Sequence, residues 1–148
     1  MYFYTNIYRM LRHILREYPL MEMSRHTGAG LILWNPIRTA VLLVKDDRSN
    51  KWSFPKGRIE PYDLSFLHTM IREVQEETRL SYYLDYTIHN HFYTFGKDMH
   101  CFFHGTATHT ILAPPNHAEH IVDIRYVPIS EIHTLDTNRY VNMWLKDI

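Results

Sequence analysis

The sequence contains little of what several common classes of protein depend on. Cys101 is its single cysteine, which excludes a disulfide framework and a cysteine-rich zinc site and favours a reducing compartment. No stretch approaches the ~20 consecutive apolar residues of a membrane-spanning helix, and residues 1–8 lack the basic and apolar regions of a signal peptide. We therefore expect no membrane association and a cytoplasmic location, with the nucleus as the alternative.

The sequence also lacks net charge. Sixteen Lys and Arg residues balance sixteen Asp and Glu residues, and a chain without a broad basic surface is a poor general binder of nucleic acids. Hydrophobic residues make up 45 % and charged residues 22 % of the 148 positions, as expected of one globular domain with a substantial core. Histidine is unusually abundant, with eleven copies, and it suggests a metal site.

No repeat, low-complexity tract or flexible linker divides the chain. Apolar residues recur at helical spacing between Ile7 and Tyr18, and Pro19 ends the pattern. We interpret residues 1–27 as a helical extension that packs on the domain, on a partner or on a second copy of the chain in a homo-oligomer. Residues 28–148 form the predicted main domain.

The main domain alternates between strand-like and helix-like patterns. One long helical pattern covers residues 64–78, with Asp63 or Ser65 as its N-cap. Strands on both sides of one central helix favour an α+β sandwich. The predicted strands cover 30–34, 39–44, 91–95, 100–109 and 121–127, and a turn at 128–132 and a closing helix at 138–146 follow them.

The central helix combines two faces. An apolar stripe faces the core and consists of Leu64, Leu67, Ile71 and Val74. Glu73, Glu76 and Glu77 stand at i, i+3 and i+4 and therefore share the other face, where their like charges repel. A solvated acidic face is the ordinary interpretation of such a run. The alternative is a divalent cation, for which hard carboxylate oxygens are typical ligands of Mg²⁺ or Mn²⁺.

The segment before the helix favours the metal interpretation. Gly57 permits close approach of the backbone, and Glu60 and Asp63 add carboxylates. Lys56 and Arg58 place positive charge beside them, where an anionic substrate would be met. Arg72 lies four residues before Glu76 and is placed to orient that carboxylate.

These residues resemble the Nudix hydrolase motif, which runs Gly, five residues, Glu, seven residues, then Arg-Glu-apolar-any-Glu-Glu-any-Gly-apolar. Gly57 and Asp63 match its first part, with Asp in place of Glu, and residues 72–78 with Leu80 match its second part. Eight residues rather than seven separate Asp63 from Arg72, and Arg79 replaces the final Gly. The resemblance extends over about residues 28–132.

The resemblance implies a Nudix-type α/β/α sandwich around a mixed sheet, in addition to the short N-terminal helix. It implies an enzyme that hydrolyses a nucleoside diphosphate linked to another group. Glu73, Glu76 and Glu77, with the backbone at Gly57, would hold Mg²⁺ or Mn²⁺, and Glu76 and Arg72 would serve catalysis. Such enzymes often use a further Glu as metal ligand or general base. Glu119 is our candidate, with an ordinary loop carboxylate as the alternative.

Two subgroups of the family share features with this chain. Residues 52–59 and 71–78 look like messenger-RNA decapping enzymes, while residues 55–57 with Glu60-Pro61 look like dinucleoside tetraphosphate hydrolases. The expected partner is thus a small-molecule nucleotide or the 5′ end of a capped RNA. Zero net charge argues against a long RNA track. The predicted substrate-binding residues are Lys56, Arg58, Trp52, Tyr93 and Lys97.

Two alternatives stay open. A diphosphoinositol polyphosphate phosphohydrolase would need a denser ring of Lys and Arg than the sequence offers. A catalytically silent Nudix-fold module would bind RNA or protein, which the intact glutamates argue against. The strand histidines, among them His89, His91, His100, His104 and His109, lack the spacing of a zinc hydrolase, so we interpret them as sheet-surface or substrate-contact residues.

Overall fold

The computed structural model describes residues 26–148. The predicted N-terminal helix lies outside these residues. The described strands are β1 His26–Trp34, β2 Ala40–Asp46, β3 Trp52–Ser53, β4 Lys56–Arg58, β5 Tyr86–Thr94, β6 Met99–Ala107 and β7 Ile121–Pro128. The α-helices are α1 Phe66–Thr78 and α2 Arg139–Asp147, and short 3₁₀ helices cover His117–Glu119 and Ile129–Thr134.

Within residues 26–148 the seven strands form one mixed sheet. Its main order is β3-β2-β1-β6-β5, with β1 and β6 parallel and the other pairs antiparallel. β1 pairs with β2 at Trp34 and Val41, whereas its first half pairs with β4, Gly28 opposite Arg58. The sheet thus divides between β1 and β2, and β3 and β4 fill the gap. This arrangement places β4 in the middle of the domain.

Two cores cover the two faces of the sheet, as the alternation of side chains in a strand requires. Leu31 and Leu33 of β1 pack in the core beneath α1, while Ile32 between them belongs to the core beneath α2. In β6, Cys101 and Phe103 share the α1 side and Phe102 the α2 side. The predicted α/β/α sandwich is confirmed.

Helix α1 starts at a capped serine. Ser65 is the N-cap, and its hydroxyl accepts a hydrogen bond from the His68 backbone N–H at 3.1 Å. The predicted apolar stripe is wrong at Leu64, which precedes the cap and is 61 % exposed. Because the helix begins two residues later than predicted, a different set faces the core. The buried apolar side chains of α1 are Phe66, Leu67, Met70 and Val74.

Helix α1 ends at Thr78, and the following C-cap residue, Arg79, adopts the left-handed conformation with φ of 64°. Its N–H donates to the Gln75 carbonyl at 2.8 Å. The left-handed conformation at a helix end favours glycine, because glycine has no Cβ to crowd the following carbonyl. The arginine that replaces the motif's glycine therefore changes only the end of the helix.

Helix α2 covers the second face of the sheet. Asn138 is its N-cap and accepts from the Val141 N–H at 3.1 Å. Its buried residues are Tyr140, Val141 and Trp144, and the Trp144 ring packs edge-on against Phe54 with centroids 5.3 Å apart. Neither this helix nor any other between residues 26 and 148 is long and apolar enough to span a membrane.

The predicted strands are confirmed, with β1 and β5 starting earlier than the apolar runs suggest. Sequence patterns did not reveal β4, because its Lys-Gly-Arg composition resembles a loop. Tertiary pairing with β1 makes this segment a strand. That pairing decides which way its side chains point.

Candidate active site

The backbone of β4 lies directly against two glutamate side chains of α1. A Cβ built at Gly57 would overlap the carboxylate of Glu73, so only glycine leaves room for this side chain. One residue earlier, the Lys56 N–H donates to Glu77 Oε1 at 2.8 Å. The backbone of β4 therefore holds two of the three helix glutamates in place.

Arg72 connects the remaining carboxylates. Its Nη1 donates to Glu73 Oε1 at 2.8 Å and to Glu76 Oε2 at 3.2 Å. Its Nη2 donates to the Arg58 carbonyl at 3.1 Å, which ties β4 to the helix. Arg72 thus orients Glu76, as the spacing predicted, and orients Glu73 as well.

Asp63 is the main partner of Arg72 despite the extra residue between them. Nε and Nη2 of Arg72 donate to the two Asp63 oxygens at 3.0 and 2.8 Å, the paired geometry typical of arginine and carboxylate. Asp63 Oδ2 also accepts from the Glu60 N–H and the Thr69 hydroxyl. Burial by itself raises the pKa of Asp63, but these hydrogen bonds, first that of Arg72, outweigh it and lower the pKa to about 2.

Burial has the opposite net effect on two of the glutamates. It raises the pKa of Glu77 to about 8 against the lowering by the Lys56 N–H and ammonium. It also raises the pKa of Glu73, although Arg72 opposes the shift. A bound cation would favour the ionised form of these buried carboxylates.

The loop before β7 lies against the end of α1. Asn116 Nδ2 donates to the Glu76 carbonyl at 2.6 Å, which fixes the loop on the helix. The charge of Glu119 contributes to the raised pKa of Glu73, so the two carboxylates are within electrostatic range. The negative charge of Glu119 thus acts on Glu73 of the glutamate face.

The donor set suits a divalent cation, with hard oxygen ligands supplied by Glu73, Glu76 and Glu77. Between residues 26 and 148, however, no group of three or more His, Cys, Asp or Glu side chains already converges to hold a metal. The guanidinium of Arg72 pairs with both Glu73 and Glu76. A cation would share these carboxylates with Arg72 or displace it.

The comparisons with known proteins agree with this geometry. The model of the NUDIX domain matches residues 24–144. The chain belongs to the Nudix family. No curated protein matches the chain.

Solved structures of Nudix proteins share the fold at low identity. A Nudix hydrolase from M. smegmatis, RenU, is 18 % identical with a TM-score of 0.64, covering 82 % of this chain and 83 % of its own. C. elegans Ap4A hydrolase in a binary complex is 18 % identical with a TM-score of 0.61, covering 82 % and 93 %. The NUDIX domain of Shewanella oneidensis NrtR, complexed with ADP ribose, is 18 % identical with a TM-score of 0.58, covering 85 % and 86 %.

Family membership confirms the predicted enzyme class, a hydrolase acting on phosphoanhydride bonds. Nudix hydrolases generally use divalent metal ions such as Mg²⁺. Among the structural relatives, NrtR binds a nucleotide compound, ADP ribose.

The predicted substrate-binding residues divide into two groups in this Nudix fold. Lys56 and Arg58 lie on β4, whose backbone contacts Glu73 and Glu77. Tyr93 is half-buried on β5 and packs against Phe95 with ring centroids 4.9 Å apart, on the α2 side of the sheet. Lys97 is exposed in the turn between β5 and β6, and no contact joins it to the glutamates.

Trp52, one of the predicted substrate-binding residues, is instead a core side chain. Trp52 is 4 % exposed and belongs to the core beneath α2. The guanidinium of Arg125 lies 4.5 Å from the centroid of its ring, which covers the face that a base would need. Burial of this indole is its structural role.

The strand histidines also differ from the surface interpretation. His100 and His104 are buried, and the His100 ring accepts or donates a hydrogen bond with the Thr27 hydroxyl at 2.9 Å. His109 pairs with Asp85 at 2.7 Å. These contacts give His100 and His109 structural partners, and no group of three or more potential metal ligands converges among the described residues.

Sequence patterns missed two residues that the fold brings next to β4. Tyr140 and Arg139 come from α2, about sixty residues after the motif. Nothing local in the sequence connects them with Lys56. Asn116, in contrast, stands three residues before Glu119, and its amide next to a candidate acidic residue is a signal that could have found it.

Proposed function

We propose that this Nudix hydrolase is metal-dependent and cleaves a nucleoside diphosphate-linked substrate, specifically a nucleotide with a polyphosphate bridge. The observation that carries the proposal is the contact of two helix glutamates with β4, where Gly57 leaves room for Glu73 and the Lys56 N–H holds Glu77, while Arg72 joins Glu76 to Glu73. A solvated acidic face would not need these contacts.

Each residue has a distinct proposed role. Glu73, Glu76 and Glu77 would hold Mg²⁺ or Mn²⁺, which when bound supplies charge stabilisation at the phosphoryl oxygens and a more acidic water. Arg72 keeps Glu73 and Glu76 in orientation, and Asp63 in turn fixes Arg72.

Glu119 is the proposed proton acceptor. It stands on the loop that Asn116 attaches to α1, so its distance from the glutamates is held by a hydrogen bond between backbone and side chain. A carboxylate held next to the site can accept the proton of the attacking water. Lys56 and Arg58 would bind the phosphates that the glutamates repel.

The substrate panel tests this function. Purified protein with Mg²⁺ or Mn²⁺ would be offered diadenosine tetraphosphate, ADP-ribose, a capped RNA fragment and a diphosphoinositol phosphate. We expect hydrolysis of the dinucleotide to be fastest. Glu76→Gln should lower kcat/KM at least about 100-fold, as loss of a group that stabilises transition-state charge does.

Glu131→Gln is the matched control, because Glu131 is an exposed residue on the 3₁₀ helix Ile129–Thr134. It should leave the rate unchanged. If wild type and Glu76→Gln bind a panel member equally and neither cleaves any, the chain is a binding module and the proposal is wrong. If capped RNA is cleaved fastest, the decapping resemblance is the better guide to the substrate.

A further inference from the structure

Strand β4 presents its side chains to two sides of the sheet. Gly57 faces Glu73 beneath α1. Lys56 points the other way, since a Cβ at Gly30 would meet both Phe102 of the α2-side core and the Lys56 Cβ at 2.5 and 2.7 Å. By the same alternation Arg58 projects on the side of Lys56.

Helix α2 delivers an aromatic ring and a second guanidinium to that side. Tyr140 is 3 % exposed, and its hydroxyl accepts from the His100 backbone N–H at 2.8 Å. The Lys56 Nζ lies 5.8 Å from the centroid of its ring and the Arg139 Cζ 5.1 Å. Both cations therefore rest on one fixed aromatic platform.

The positive charge at this place has no salt-bridge partner among residues 26–148. Of the described residues, no carboxylate lies within ion-pair distance of Lys56, Arg58 or Arg139. Burial, followed by the charges of Lys56, Arg139 and Arg58, lowers the pKa of His100 to about 4, so the three cations act on one point. In a chain of zero net charge, this cluster of three cationic side chains is suited to binding an anion.

We propose that Arg139, together with Lys56 and Arg58, forms a second anion subsite that receives the phosphates of the substrate beyond the pair that is cleaved. The subsite rests on the proposed function, and it names the substrate class more closely as nucleotides with a long phosphate bridge. Lys56 connects the two places, since its N–H binds Glu77 and its ammonium reaches Tyr140. One side-chain length separates them, so a bridge of several phosphates spans both, whereas a pyrophosphate occupies only the first.

The first test measures binding of inorganic tripolyphosphate and of pyrophosphate by calorimetry in the presence of Mg²⁺, through which the glutamates bind phosphates. We expect wild type to prefer tripolyphosphate. Arg139→Gln should weaken tripolyphosphate binding about tenfold and pyrophosphate binding less than twofold, while Arg139→Lys keeps most of the affinity because it keeps the charge. Thermal unfolding of each variant shows whether it is folded.

Arg38→Gln is the matched control. Arg38 is also an exposed arginine over an aromatic ring, 5.5 Å from the Trp34 centroid, but it lies in the turn after the other end of β1. It should change neither affinity. Equal tripolyphosphate affinity in Arg139→Gln and Arg38→Gln, or no binding by wild type, overturns the subsite.

The second test measures kcat and KM for dinucleoside polyphosphates with three, four and five phosphates. Arg139→Gln should raise KM increasingly with bridge length and leave kcat unchanged. If no nucleotide is cleaved but tripolyphosphate binding still depends on Arg139, the proposed function fails and the subsite stands. If hydrolysis proceeds with the same KM in wild type and Arg139→Gln at every length, the subsite is wrong and the function stands.

Discussion

At the scale of single residues, Gly57 decides whether the site can assemble. Glycine normally weakens a strand, because it orders a flexible backbone without adding packing. Here its missing side chain is the space that the Glu73 carboxylate occupies. The residue is therefore retained by contact with a neighbouring helix and not by backbone conformation.

Gly57→Ala is expected to abolish at least about 99 % of the activity, because the new methyl must displace the carboxylate that the site needs. The unfolding free energy should fall by about 1–3 kcal/mol, the usual cost of overpacking. Denaturant unfolding and initial rates on the best substrate measure the two effects.

A double-mutant cycle that combines Gly57→Ala with Glu73→Ala tests whether contact with Glu73 causes the loss of stability. If the methyl acts by colliding with Glu73, the second substitution relieves the strain, and the coupling energy should reach about 1 kcal/mol or more. Additive effects of the two substitutions would show that Gly57 acts through another contact. Gly96→Ala, at a turn with nothing within contact of a new Cβ but with φ of 128°, reports backbone strain alone.

Sequence reasoning succeeded for single residues where local geometry decides their position. The three glutamates share a face because helical periodicity is a local property. The prediction for Trp52 was wrong because the sequence does not distinguish an aromatic side chain that packs in the core from one that contacts a substrate. In the structure the guanidinium of Arg125 covers the Trp52 ring. Arg139 and Tyr140 were missed because only tertiary folding brings α2 to β4.

At the scale of elements, the segment between β4 and α1 has to deliver a carboxylate to Arg72 despite one extra residue. Asp63 does so while Ser65 still caps the helix. Burial opposes ionisation of Asp63, but the hydrogen bonds from Arg72, Glu60 N–H and Thr69 lower its pKa to about 2. The ordinary value is 3.8, so ionised Asp63 stabilises the folded state.

The pH dependence follows from this shift. A carboxyl whose pKa is lower in the folded state contributes stability that is present above pH 4 and is lost as the pH falls through about 2. The size of the shift corresponds to about 2 kcal/mol. We expect Asp63→Asn to lower the unfolding free energy by at least that amount at pH 7, where Arg72 would lose its main partner.

The measurement is urea unfolding of both proteins between pH 2.5 and 7. Their difference in stability should shrink as the pH falls below 4, since wild type then loses the contribution that the variant never had. A difference that stays constant across this range would show that Asp63 acts by packing alone. Asp136→Asn, at an exposed residue, should follow the wild-type curve throughout.

Most helices and strands could be predicted from the sequence, and the predictions that were wrong have physical causes. Strong apolar runs and one long helical period define most strands and both helices. β4 has no apolar run, so its strand character comes entirely from pairing with β1. The start of α1 was placed two residues early, because Leu64 fits the helical spacing although it precedes the cap.

At the scale of the whole molecule, the division of the sheet gives β4 its importance. Strand β4, three residues long, lies in the gap between β1 and β2, with α1 on one side of the sheet and α2 on the other. The α1 side collects acidic groups and the α2 side collects basic ones, so the chain of zero net charge is locally polarised. Such an arrangement suits a ligand that contains both metal-bound and free phosphates.

A metal that binds the folded state alone must stabilise the whole domain. At a concentration ten times its Kd, Mn²⁺ should add about 1.4 kcal/mol to the unfolding free energy, which is roughly 5 °C in the melting temperature of a domain of this length. Glu77→Gln should lose most of the shift, since it removes a charged ligand but keeps an acceptor for the Lys56 N–H.

Glu131→Gln should retain the full shift, because that exposed side chain lies outside the site. Melting curves at several metal concentrations separate specific from general effects, since a specific site saturates and a general salt effect does not. Equal shifts in wild type and Glu77→Gln would place the metal elsewhere on the molecule. No shift in either protein at millimolar Mn²⁺ would mean that Arg72 retains Glu73 and Glu76, and that the cation enters this site only together with the phosphates of the substrate.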